Sequence, residues 1–208
     1  MITTEEEARS FVAEYTDVQG MERLDHLAAA LIAENREQNL ISKPSEAQIW
    51  QRHIADSVQL LSFVPRETWQ NGSEEAWLDL GTGAGFPGLV IAAIAPDLPV
   101  YLVESRRRRV EWLERMATAM SLPKCVTLGQ RLEVVEPFAA SVISARAFAP
   151  LPKLLKLSAA FSTSSTRFLL PKGRSAAQEL MKLPKSSRKL FHVEQSLTDT
   201  DAGIIVSI

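Results

Sequence analysis

The 208-residue chain has one cysteine, three histidines and only 7% aromatic residues, and no apolar run in it approaches the length of a membrane span. A single cysteine, Cys125, excludes an intramolecular disulfide and a multi-cysteine metal site; it lies in an apparent strand, is read as a core residue, and fits a reducing compartment. The histidines stand apart at positions 26, 53 and 192, so metal ligation has no support. A formal net charge of −2 provides no global basic field. The opening Met1-Ile2-Thr3-Thr4-Glu5-Glu6-Glu7 has neither the basic nor the apolar region of a signal peptide, and a cytoplasmic protein without membrane attachment is expected.

With 46% apolar residues, the chain can bury one substantial core and a small helical extension. Its charge is uneven: residues 1 to 40 hold nine acidic and three basic side chains, so the basic surplus lies further on. Trp77-Leu78-Asp79-Leu80-Gly81-Thr82-Gly83-Ala84-Gly85-Phe86-Pro87-Gly88 reads as a buried strand, a tight loop and the start of a helix. Alternate glycines there let the backbone approach a ligand, and the N–H groups opening the helix face it. The stretch contains a literal G-x-G-x-x-G, and Glu104 lies about 20 residues on, so by spacing alone NAD remains a candidate. Asp79 points elsewhere, because a carboxylate beside the loop repels a pyrophosphate and suits a ligand with an ammonium group, such as S-adenosylmethionine.

Taken in order, Thr4-x-x-Glu7 is a capping box before Phe11, Val12 and Tyr15, and Leu24, Leu27, Ala28, Leu31 and Ile32 repeat a helical stripe. Ser45-x-x-Gln48 predicts the cap of a third helix from about Ile49 to Leu61, with Trp50, Ile54 and Leu61 as core contacts. Pro65 and Asn71-Gly72-Ser73 close this helical section, and a boundary is expected between residues 1–72 and 73–208. Strands follow at 77–80, 99–104, 125–128, 141–144, 166–170, 189–194 and 203–208, with helices over 88–95, 107–120, 151–160 and near 175–183. The alternation predicts an α/β fold with a parallel, doubly wound sheet, and the short turn at 198–201 requires the last two strands to pair as an antiparallel hairpin.

The glycine stretch resembles the motif of class I methyltransferases, and D-x-G-T-G-A-G-F-P-G is similar to the RsmG (GidB) family of small-subunit rRNA guanine-N7 methyltransferases. The resemblance extends from Asn39-Leu40 through Arg52-His53-x-x-Asp56-Ser57, Gly129-Gln130-Arg131-Leu132-Glu133 and Ser144-Ala145-Arg146-Ala147-Phe148-Ala149 to Leu170-Pro171-Lys172-Gly173. It implies a Rossmann-like seven-stranded sheet with an antiparallel terminal hairpin behind N-terminal helices, and methyl transfer from S-adenosylmethionine to guanine N7 in 16S rRNA or the small ribosomal subunit by a monomer. Asp79, Gly81, Gly83, Phe86, Glu104, Leu132, Glu133 and Arg146 are the expected cofactor residues. Glu104 takes the ribose hydroxyls and the 129–133 loop covers the adenine. Arg146, Asn39 and Lys172 are the expected acceptor-side residues, with His53 and Asp56 bracing their helix. Guanine N7 has a lone pair and no proton, so no general base is required. Arg106 to Arg109, at a helix start where the macrodipole disfavours cations, are candidates for RNA phosphate contacts. The chain departs from the family at its end: residues 199–208 carry no cation where RsmG-like chains have a basic strand. Arg167, Lys172, Arg174, Lys182, Lys185, Arg188 and Lys189 are the candidates to replace it. An NAD(P)-dependent oxidoreductase and a catalytically silent RNA-binding domain are the alternatives.

Overall fold

A computed structural model describes residues 1–70 and 75–208. Helices α1 (Glu5–Ala13) and α2 (Val18–Gln38) come first, followed by a mixed helical segment from Lys43 to Phe63 that contains α3 (Asp56–Val58). The alternating part runs β1 (Trp77–Leu80), α4 (Gly88–Ile94), β2 (Val100–Val103), α5 (Arg107–Ala119), β3 (Cys125–Leu128), β4 (Val142–Ser144), α6 (Leu151–Ser158) and β5 (Arg167–Gly173). It closes with α7 (Ala176–Met181), α8 (Lys185–Arg188), β6 (Phe191–Gln195) and β7 (Gly203–Ser207).

All seven strands join one sheet in the order β3-β2-β1-β4-β5-β7-β6. The first five are parallel, and β7 runs antiparallel to both β5 and β6, as the short final turn required. Successive residues of a strand face opposite sides, so Trp77, Val100 and Leu102 enter one apolar cluster while Leu78, Leu80 and Val103 enter the other. Every residue of α4 is buried. A helix with no polar face must be covered on all sides. The sheet covers one side of α4, and α2 and α3 cover the rest. Leu24, Leu27, Ala28 and Leu31 of α2 are buried in the same cluster as α4, so the N-terminal helices share the sheet's core. The expected boundary at residue 72 lies outside the described residues.

The Thr4 capping box forms: Thr4 Oγ1 accepts from the Glu7 N–H at 3.1 Å, and the Glu7 carboxylate accepts from the N–H groups of Thr3 and Thr4. The third helix differs from expectation. It is a 3-10 turn over Lys43–Gln48, a π-helix over Trp50–Ala55, the short α3 and a second 3-10 turn over Gln59–Phe63. Ser45 does not cap it. The carboxylate of Glu5 reaches across from α1 to accept from the N–H groups of Trp50 and Gln51 at 3.0 and 2.9 Å. Trp50, Ile54 and Leu61 are core residues as expected, whereas Ile32 is exposed and Cys125 only half-buried on the edge strand β3. Among the described residues, no helix is long and apolar enough to cross a membrane.

Candidate active site

The chain departs from β1 to one side of the sheet and returns through β4 on the other, so a crevice opens at the carboxyl ends of these neighbours. The glycine loop leaves β1 here. Gly81 and Gly83 have φ of +64° and +61°, a region that disfavours side chains. Over Gly83 there is room: the nearest atom to a hypothetical Cβ is Arg109 Nη1 at 3.6 Å. Over Gly81 the ring of Phe148 lies 2.6 Å from that position, so the loop after β4 rests on the loop after β1.

Asp79 lies beneath the loop rather than open to the crevice. It is fully buried, accepting from the Ser144 hydroxyl at 2.7 Å and the Gly88 N–H at 3.0 Å, and it touches no open space. Ser144 in turn accepts from the indole N–H of Trp77 at 2.9 Å. Burial raises the Asp79 carboxyl above its ordinary value, against these hydrogen bonds and the Arg146 charge. The group therefore ties β1, β4 and the start of α4 together. Phe86 is likewise buried, its ring stacked on His53 with centroids 5.0 Å apart, which leaves only its backbone for a ligand.

Glu104 ends β2 beside the glycine loop as expected. Its Oε1 accepts from the N–H groups of Ser105 and Arg106, both at 2.8 Å, and so fixes the turn that leads into α5; Oε2 lies 3.7 Å from Arg109 Nη1. Leu132 and Glu133 form a 3-10 turn after β3 at the same edge; the Leu132 side chain is core, and Glu133 is exposed. Within the arginine run, Arg107 pairs with Glu111, and Arg108 donates to the Glu37 carbonyl at the end of α2. Carbonyls at a helix end offset the unfavourable position of such a cation.

On the β4 side, a cavity of about 740 Å³ is lined by Arg52, His53, Asp56, Arg146, Lys172 and the terminal hairpin. Arg146 Nη1 donates to the Arg52 carbonyl at 3.3 Å and to His53 Nδ1 at 3.1 Å, and lies 3.6 Å from Asp56 Oδ2. His53 and Asp56 thus hold Arg146, a tertiary role beyond bracing their own helix. Asp56 Oδ1 also accepts from Thr198 across 2.8 Å. Lys172 is held within the fold: its side chain is only 5% exposed, and it donates to the Ala149 carbonyl at 2.7 Å and pairs with Glu179 at 3.2 Å. Glu179 also accepts from the Leu151 N–H, so the pair pins the start of α6. Asn39 is the left-handed C-cap of α2, exposed and not among the cavity residues, and so is not brought together with Arg146 and Lys172. Glu179 carried no motif signal, and the motif around Ser144 gave no sign of its tie to Asp79, because these partners are set by strand pairing and helix packing.

The sheet order, the glycine loop after β1 and the acidic end of β2 define a class I methyltransferase fold. The putative methyltransferase yhhF from Escherichia coli has a similar fold, with a TM-score of 0.55 at 9% identity over 73% of this chain and 84% of that one. A family profile described as rRNA small subunit methyltransferase G (GidB) matches residues 20–203. Ribosomal RNA small subunit methyltransferase G of Erythrobacter litoralis is 61% identical, covering 99% of this chain and 97% of its own, and that of Novosphingobium aromaticivorans is 56% identical, covering 99% and 88%. The chain belongs to the rRNA small subunit methyltransferase G family. It is an S-adenosylmethionine-dependent rRNA methyltransferase. The oxidoreductase and silent-domain alternatives are without support.

Proposed function

We propose that the chain methylates N7 of a guanine in 16S rRNA, acting as a monomer on naked RNA or the small subunit, with the cofactor over the glycine loop and the target base in the cavity beside Arg146. The observation that carries this reading is the packing of Phe148 on Gly81, which sets the cavity side against the glycine cradle. The residues present suit the cofactor: space over Gly83, a carboxylate oxygen of Glu104 with Arg109 as its one partner among the described residues, and the Leu132–Glu133 backbone at the same edge. S-adenosylmethionine, when bound, supplies an electrophilic methyl group on a sulfonium centre.

The protein's part is to bind, orient and exclude water. Arg146 presents its guanidinium to the cavity, where it can hold a phosphate or a base oxygen. No side chain needs to remove a proton from N7, and burial together with the Arg146 and Arg52 charges pushes His53 down to about 3, leaving it neutral. Methylation of small subunits lacking the modification, with the site mapped by mass spectrometry of nuclease fragments, tests the reading; product at any atom other than guanine N7 overturns it. Titration calorimetry with S-adenosylmethionine and with NADH tests the cofactor.

A further inference from the structure

The His53 imidazole sits where three elements meet. It is carried by the π-helical segment Trp50–Ala55, it stacks on Phe86 of the glycine loop at 18° between planes, and it faces Arg146 of the loop after β4. A guanidinium can only donate, so Nδ1 must hold a lone pair and Nε2 must carry the proton, which goes to Ser45 Oγ at 3.0 Å. Ser45 passes its own hydrogen to the Ser42 carbonyl at 2.8 Å. Nη1 of Arg146 is then fully occupied, one hydrogen going to the Arg52 carbonyl and one to His53. Its Nε and Nη2 hydrogens have no partner among the described residues, and the side chain, 27% exposed, lines the cavity with its guanidinium carbon 5.2 Å from the Phe86 ring centre.

We propose that His53 is a positioning residue for the methyl-transfer reaction: a fixed acceptor, seated on Phe86, that aims the free edge of the Arg146 guanidinium into the cavity and keeps it in register with the glycine loop. The proposal rests on the methylation reading above. Without the Nδ1 acceptor, Arg146 keeps the Arg52 carbonyl and, at 3.6 Å, the Asp56 carboxylate, and loses one of the three groups that fix its orientation. Misplacement of about 1 Å at a reacting centre costs roughly 100-fold in rate.

Three variants separate positioning from packing. His53→Phe keeps the stack on Phe86 and removes both nitrogens. His53→Asn keeps a carbonyl acceptor near Nδ1, and His53→Gln places its amide nearer Nε2. The expected result is a kcat on small subunits lowered roughly 10- to 100-fold in His53→Phe, with S-adenosylmethionine affinity and KM within about twofold of wild type. Recovery is expected in His53→Asn and not in His53→Gln. A second readout does not depend on activity: in ¹⁵N spectra of the full chain, rotation about the Cζ–Nη1 bond of Arg146 should be slow in wild type and in His53→Asn, and fast in His53→Phe. Wild-type kcat per folded His53→Phe molecule, rescue by Gln alone, or equal rotation rates in wild type and His53→Phe each overturn the proposal. A wild-type chain that methylates no small-subunit RNA overturns the methylation reading instead, and the nitrogen spectra distinguish that result from a failure of the His53 assignment.

Discussion

The Ser144 hydroxyl, at the end of β4, donates to the Asp79 carboxylate at the end of β1 across 2.7 Å, with both side chains fully buried. The same hydroxyl accepts from Trp77, so one small side chain satisfies a buried indole and half of a buried carboxylate. Removing it in Ser144→Ala leaves both short of a partner, at a cost of about 1–3 kcal/mol. Melting should fall by about 2–4 °C per kcal/mol for a chain of this size. S-adenosylmethionine affinity should fall with it, because Asp79 anchors the N–H of Gly88 at the end of the glycine loop. Unchanged melting would show that the hydroxyl contributes nothing net.

Gly81→Val and Glu104→Ala should both weaken S-adenosylmethionine binding, for different reasons. At Gly81 a side chain meets the Phe148 ring and an unfavourable φ of +64°. At Glu104 a charged partner worth about 1.5–3 kcal/mol is lost. Glu104→Ala also leaves the N–H groups of Ser105 and Arg106 without their acceptor, so a stability loss of about 1–3 kcal/mol should accompany it. Calorimetric titration checks both variants, and wild-type affinity in Glu104→Ala would remove the ribose assignment.

Lys172→Ala should act mainly on stability. Its ammonium is held by Glu179 and a carbonyl, and deletion strands a carboxylate whose own ionised state the lysine helps to keep. A melting point lowered by several degrees is expected, together with near-normal methylation per folded molecule. Normal melting with lost turnover would return Lys172 to the RNA contacts.

His53 takes a proton near 6.5 when unfolded and near 3 in the folded chain, chiefly because burial disfavours the charged form. Its contribution to stability is complete above pH 6.5, where both states are neutral. It is lost as pH falls from 6.5 toward 3, by up to about 1.4 kcal/mol per unit, because the unfolded chain binds the proton first. Urea unfolding of wild type and His53→Asn between pH 7 and 4 should therefore give a shallower acid slope in the variant. Parallel slopes would contradict the assignment.

The sheet was legible because short apolar segments alternate with helical stripes, and the glycine stretch marks the crevice at once. Asp79 was legible as important, but its buried tie to Ser144 was not: strands covered on both faces have no exposed side for a period of two to reveal. The Lys43–Phe63 segment carried an ordinary helical pattern, yet its cap comes from Glu5, 45 residues earlier. Likewise Thr198 meets Asp56 across 142 residues, a pairing that only the closed hairpin creates.

The acidic end of the chain bears on RNA binding. Asp199 pairs with Arg52 at 3.2 Å and Asp201 with Arg174 at 2.8 Å, so the final turn neutralises two cations that a basic tail would have left free. Of the candidate replacements, Arg167 donates to the Ser207 carbonyl, Lys172 is buried against Glu179, and Arg188 donates to the carbonyls of Met181 and Leu183. Lys182, Lys185 and Lys189 remain, exposed on and beside the short α8 and with no partner among the described residues. Removing one lysine–phosphate interaction should lower the magnitude of the log K versus log salt slope by about 0.7–0.9. Converting these three lysines to glutamine should flatten the slope for small-subunit RNA by about 2–3 if all three touch phosphate. S-adenosylmethionine affinity and melting should stay unchanged, whereas Arg188→Gln alone should lower melting by breaking its hydrogen bonds to the two carbonyls. An unaltered slope in the triple variant would make the α8 lysines a solvated face and would turn attention to Arg106 and the rest of the α5 run.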